Sequence, residues 1–137
     1  AEETEEEGWA EIDGKISEKM FIAQAKGRSM EPKIFDGDYI VFETYSSGTR
    51  QDRIILAQCS HWTDPETNTS FTVKKYTSTK KPNPDTEWEH ESIILLPLNK
   101  NFEPIHLQSE EEGAEPVKVI AIAIGKYNSK SKRIEGF

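Results

Sequence analysis

The stretch Gly27-Arg28-Ser29-Met30-Glu31-Pro32-Lys33-Ile34-Phe35-Asp36-Gly37-Asp38 decides how the rest of the chain is read. It lies between two short apolar runs, Phe21–Lys26 and Asp38–Glu43. A glycine, a serine, a proline and a closing Asp-Gly-Asp between such runs are the makings of a tight connection between strands. Working outward, runs of strand length recur at Arg53–Ser60, Ser70–Tyr76, Ser92–Leu98 and Val117–Tyr127. They are rich in Val, Ile, Phe and Tyr. Turn formers separate them: Ser46-Ser47-Gly48, Asp64-Pro65, Pro82-Asn83-Pro84-Asp85 and Glu111-Glu112-Gly113. Helical periodicity is confined to a turn or two near Ile16–Met20 and Pro32–Phe35. The pattern predicts a mostly β domain, an antiparallel sandwich or partly closed barrel with little helix.

The 137 residues suffice for one hydrophobic core and not for two. Hydrophobic residues make up 34% and the mean hydropathy is −0.72, so part of the chain is expected to be solvated. The net charge is −8, but five acids fall within the first seven residues, which leaves about −3 on the other 130. Residues 1–7 read as a disordered acidic lead, 8–127 as the domain, and 128–137 as a polar, basic tail or linker. A body this mildly acidic lacks the basic surface that direct nucleic-acid binding needs. No apolar run has the length of a membrane span, and the acidic N-terminus is unlike a signal peptide. The single cysteine, Cys59, excludes an internal disulfide and suits the cytoplasm. The chain starts at Ala1, which reads as a processed end or a piece of something longer.

The serine is where chemistry is expected. A hydroxyl on a sharp turn after a strand is exposed and surrounded by free backbone N–H groups, as a nucleophile and its oxyanion hole require. Most Gly-x-Ser turns do no more than satisfy a turn, so a base must also be found. His61, His90 and His106 fall in or beside expected loops, and none has an orienting acid in a recognisable pattern. Lysine is the other base available, because burial lowers its proton affinity. The run Phe71-Thr72-Val73-Lys74-Lys75-Tyr76 holds two lysines inside an apolar strand. Alternation puts Lys74 with Thr72 and Tyr76, and Lys75 with Phe71 and Val73, and does not choose between them. A Cys59/His61 dyad lacks an orienting residue, and Cys59 with the three histidines lacks metal-ligand spacing. Neither a metal nor a cofactor is expected.

Taken together, Gly27-x-Ser29-Met30-x-Pro32, Asp36-Gly37-Asp38-Tyr39-Ile40-Val41 and Val73-Lys74-Lys75-Tyr76 resemble the catalytic domain of LexA-type self-cleaving proteins, the family of LexA, the phage repressors and UmuD. Ile93-Ile94-Leu95-Leu96-Pro97-Leu98-Asn99 with Phe102-x-Pro104-Ile105 resembles that family's leucine–proline–asparagine segment, and Val119–Gly125 its closing strand. The resemblance implies Ser29 as nucleophile and Lys74 as general base, with Lys75 the lesser alternative. It implies oxyanion donors at the Arg28 and Ser29 amides, with Met30 and Pro32 shaping the turn. It also implies autocatalytic cleavage of an upstream segment in a stress-response or repressor switch, a homodimer built on the closing strand, and stimulation by RecA filaments.

Several features depart from that pattern. The chain contains no Ala-Gly or Cys-Gly, the dipeptides the family cuts, and only 28 residues precede Ser29, without a helix-turn-helix domain. The scissile bond is therefore expected to have been removed or never to have existed. The segments His61–Thr69 and Thr77–Glu91 look like long insertions, carrying Trp62 and Trp88 as packing lids or partner contacts. These departures keep a second reading open, a dimerising or regulatory module of a larger protein. A type I signal peptidase shares the Ser-Met-x-Pro turn, but its membrane anchor and Gly-Asp-Asn motif are missing.

Overall fold

The computed structural model describes residues 19–82, 89–108 and 116–137. The expected acidic lead, most of the Ile16–Met20 turn, and Trp88 lie outside them. The described residues form eight strands and no helix. They are β1 (Met20–Gln24), β2 (Tyr39–Thr44), β3 (Ile54–Cys59), β4 (Phe71–Pro82), β5 (Glu89–Leu96), β6 (Ile105–Gln108), β7 (Val117–Asn128) and β8 (Arg133–Glu135). All pair antiparallel in one sheet of order β1-β2-β7-β3-β4-β5-β6, with β8 added to β7. β1 and β6 stand at opposite ends of that order, so the sheet is not closed into a barrel.

β7 organises the core, because it lies between β2 and β3 and carries a bulge against each. Opposite β3 the register passes from Leu56↔Ala121 to Ala57↔Val119, leaving Ile120 extra. Opposite β2 it passes from Val41↔Gly125 to Phe42↔Ala123, leaving Ile124 extra. Each extra residue reverses the two-residue alternation and sharpens the local bend. Val117, Val119 and Ile122 therefore join Ile55, Ala57, Tyr76, Ile93 and Leu95 in one cluster. Ala121 and Ala123 join Ile40, Phe42, Met30 and Ile34 in another. β7 thus divides its apolar residues between two clusters, with Ile120 and Ile124 left half-buried. Fully burying side chains such as Phe42 and Leu95 contributes about 1.5–3 kcal/mol each.

Three sequence expectations change here. Thr77–Glu91 is largely a hairpin extension, not a loop: the β4–β5 ladder runs from Lys75↔Leu96 out to Pro82↔Glu89. Its β4 side, Thr-Ser-Thr-Lys-Lys, carries no apolar alternation, so periodicity could not mark it as strand. His90 and His106 lie in β5 and β6 rather than in loops. Past Tyr127, the stretch read as a tail turns at Asn128, whose Oδ1 accepts from the Lys130 and Ser131 N–H groups, and returns as β8.

β8 approaches β7 closely because Gly125 has no side chain. A Cβ there would lie 2.5 Å from the Glu135 carbonyl oxygen and 2.9 Å from Ile134 Cγ2. Gly125→Ala is expected to lift β8 off the sheet. Backbone amides of residues 133–135 would then exchange freely in a hydrogen-exchange measurement, while those of β3 keep their protection.

Candidate active site

The connection from β1 to β2 is held from several directions, and Ser29 sits within it. Gly27 adopts φ +98°, open to glycine at little cost, and its N–H donates to Asp36 Oδ1 at 2.7 Å. The Lys33 and Ile34 N–H groups both donate to the Met30 carbonyl, giving the expected single turn at Pro32–Phe35. Met30 is 4% exposed and anchors this turn in the second core cluster, whereas Pro32, after a cis peptide bond, is exposed. The Arg28 side chain is also exposed and pairs with Glu31 at 3.2 Å. Asn99, 70 residues beyond the serine, clamps the turn twice. Its N–H donates to the Ser29 carbonyl at 3.0 Å and its Nδ2 to the Arg28 carbonyl at 3.0 Å.

On β4 the structure separates the two lysines. The β3–β4 register sets Lys74 opposite Ile55 and Thr72 opposite Ala57, on the face of the first core cluster. Lys74 is 5% exposed; Lys75, opposite Ile54, is only half-buried. The buried amine is not alone. Lys74 Nζ donates to Thr72 Oγ1 at 2.8 Å and lies 3.6 Å from Asp64 Oδ2. Thr72 Oγ1 in turn donates to the same Asp64 oxygen at 2.6 Å, and Asp64 is 3% exposed. Burial pushes the Lys74 proton affinity below its ordinary 10.5, against the opposing pull of Asp64, Glu66 and Cys59.

Asp64 and Glu66 come from the segment that reads in sequence as an insertion with a lid tryptophan. Trp62 does pack, against the first core cluster. The rest of the loop is a reverse turn closed by an Asp64↔Thr69 bridge, in which Asp64 Oδ1 accepts from the Glu66 N–H at 2.8 Å. That turn carries Glu66 to the serine connection, where its Oε2 accepts from the Arg28 N–H at 2.8 Å. A Cβ on Gly27 would lie 2.5 Å from the Glu66 carboxyl carbon. The Arg28 amide, expected to serve an oxyanion, is bound to a carboxylate in this geometry.

Ser29 and Lys74 line one cavity of about 560 Å³, whose walls include Phe21, Met30, Phe42, Leu56, Phe71 and Val73, with Asp64 among the polar lining. Ser29 is itself 6% exposed. A hydroxyl, a buried amine and an apolar trough are the parts of a serine–lysine peptide hydrolase. The remaining nucleophile is poorly placed for that work. Cys59 is buried, which pushes its thiol up to about 11, and His61 is exposed.

Residues 1–124 match the family model of peptidase S24-like proteins. The chain belongs to this family. It is the family of LexA, UmuD and the phage repressors, and membership makes this a LexA-like serine peptidase domain. No curated protein matches the sequence. Among the described residues, no helix is long and apolar enough to cross a membrane. The S24-like match covers the serine turn, the lysine strand and most of the closing strand. Asp64 is visible in sequence only as a turn former before Pro65, and Asn99 only as part of a resemblance.

Proposed function

We propose that the domain is a serine endopeptidase in which Ser29 attacks a peptide carbonyl and Lys74, as the neutral amine, takes the serine proton. What supports this reading above all is the burial of Ser29 and Lys74, from separate elements, on the wall of one apolar cavity. Attack forms the Oγ–C bond and an oxyanion, for which the Arg28 and Ser29 backbone amides are the donors. The ammonium then returns its proton to the leaving amine, and water hydrolyses the acyl-enzyme by the same path. The trough suits an extended apolar segment, and the substrate is a stretch of the protein's own chain upstream of the domain. Cleavage would serve a stress-response or repressor switch in the cytoplasm, with a homodimer as the working form and a RecA filament as the stimulus.

A second reading, a regulatory module in which cleavage is secondary, is favoured by the occupied Arg28 amide. One experiment separates the two. The full-length protein is incubated from neutral to alkaline pH, with and without RecA filaments, and followed on a denaturing gel. A new band that strengthens with pH and is absent from Ser29→Ala is expected. The same band in Ser29→Ala would overturn the peptidase reading, and none at any pH would favour the module.

A further inference from the structure

We propose that the Asp64–Thr69 turn is a latch that holds the dyad at rest, Asp64 by pairing the Lys74 ammonium and Glu66 by occupying the Arg28 N–H. The inference rests on the Ser29/Lys74 reading and makes Asp64 and Glu66 positioning residues for that reaction. Three observations carry it. Asp64 is nearly fully buried, with Oδ2 bonded by Thr72 and 3.6 Å from Lys74 Nζ, so its charge is aimed at the amine. Two residues on, Glu66 takes an amide beside the nucleophile at 2.8 Å. The turn holds both in one rigid unit, through the Asp64 N–H to the Thr69 carbonyl, the Asn68 N–H to the Asp64 carbonyl, and the Glu66 N–H to Asp64 Oδ1.

The chemical consequence has two parts. A lysine acts as base only without its proton, and an adjacent carboxylate favours the proton. The charged or titratable groups that bear on Lys74 are Asp64 and Glu66 from the turn and Cys59 from β3, and Asp64 acts most strongly of the three. An amide already donating to Glu66 cannot also receive a developing oxyanion. Moving this one turn away would release both restraints together, so whatever displaces it switches the enzyme on.

The test uses full-length protein and two readouts. The first is the titration of Lys74, followed by NMR of its Cε–Nζ group. The second is the pH dependence of labelling of Ser29 by an alkyl phosphonofluoridate. In that labelling the Oγ–P bond forms, the P–F bond breaks, fluoride leaves, and the serine proton passes to the Lys74 amine. Asp64→Asn is expected to lower both midpoints by about one pH unit and to raise labelling near neutral pH about tenfold. Glu66→Ala is expected to raise labelling even on the alkaline plateau, where Lys74 is already neutral and only the freed Arg28 amide can help. An unchanged midpoint in Asp64→Asn, or an unchanged plateau in Glu66→Ala, overturns the latch. If Asp64→Asn fails to fold, the plateau in Glu66→Ala decides alone. A wild-type protein that never labels, yet whose Lys74 midpoint falls in Asp64→Asn, overturns the peptidase reading and the latch's role in it while the ion pair stands.

Discussion

Lys74→Ala is expected to remove cleavage at every pH, while Lys75→Ala keeps most of it. General-base removal costs about 10²–10⁴-fold, and among the described side chains Lys74 is the buried lysine of β4, Lys75 being half-buried. Sequence alone suggests that losing Lys74 would stabilise the fold by deleting an amine without a partner. The structure removes that premise, because Thr72 and Asp64 both engage the amine. Deleting the charge leaves the buried Asp64 carboxylate without its cation, which is costly even though burial alone disfavours the ammonium. Deleting the three methylenes beyond Cβ costs more again, at about 0.8 kcal/mol per buried methylene. Lys74→Met, which keeps the stem but strands the buried Asp64 carboxylate, is expected to lose about 3 kcal/mol, and Lys74→Ala about 2 kcal/mol more, in urea denaturation.

The same group gives a signed pH dependence. Lys74 binds its proton more weakly in the folded chain than in the unfolded one, whose value is near the ordinary 10.5. Between the lowered folded midpoint and 10.5, the unfolded chain therefore holds more protons. Through this residue, stability rises with pH across that window and levels off above it. Lys74→Met should lose that rise. A rise that persists undiminished in Lys74→Met would assign it to another group. Cleavage should increase through the lower edge of the same window, where the neutral amine first accumulates.

Asn99→Ala is expected to have the second largest effect, and to act on catalysis more than on the fold. Its Nδ2 donates to the Arg28 carbonyl and its Oδ1 accepts from the Asn101 N–H at 2.9 Å, so the side chain bolts the segment after β5 to the serine turn. The backbone bond from Asn99 to the Ser29 carbonyl survives the substitution. Losing two hydrogen bonds at a half-buried position costs about 1–3 kcal/mol. A serine displaced by about 1 Å loses on the order of 10²-fold in rate. Asn99→Asp should be worse than its size suggests, because it offers the Arg28 carbonyl an acceptor instead of a donor. Wild-type cleavage by Asn99→Ala would show that Met30 and the Asp36 contact position the serine without it.

What this sequence determined by itself was local. Short runs rich in β-branched and aromatic residues, punctuated by Gly, Pro and Asp, specify an antiparallel β domain, because strand alternation and turn chemistry act over a few residues. The serine connection was legible for the same reason: the turn formers Gly27, Pro32, Asp36 and Gly37 fall within one short stretch. Lys74 and Lys75 were legible as a pair but not as an inside and an outside, since alternation assigns faces without saying which face meets the core. The pairing of β3 with β4 settled that by setting Lys74 opposite Ile55. Bulges at Ile120 and Ile124 reverse the alternation of β7, so no periodic reading could have divided that strand between two clusters. Asp64 lies ten residues from Lys74, Glu66 38 from Arg28, and Asn99 71 from Arg28. Contacts at such separations are chosen when the whole sheet assembles, because burying the serine turn and the lysine leaves polar groups that only folded-in partners can satisfy.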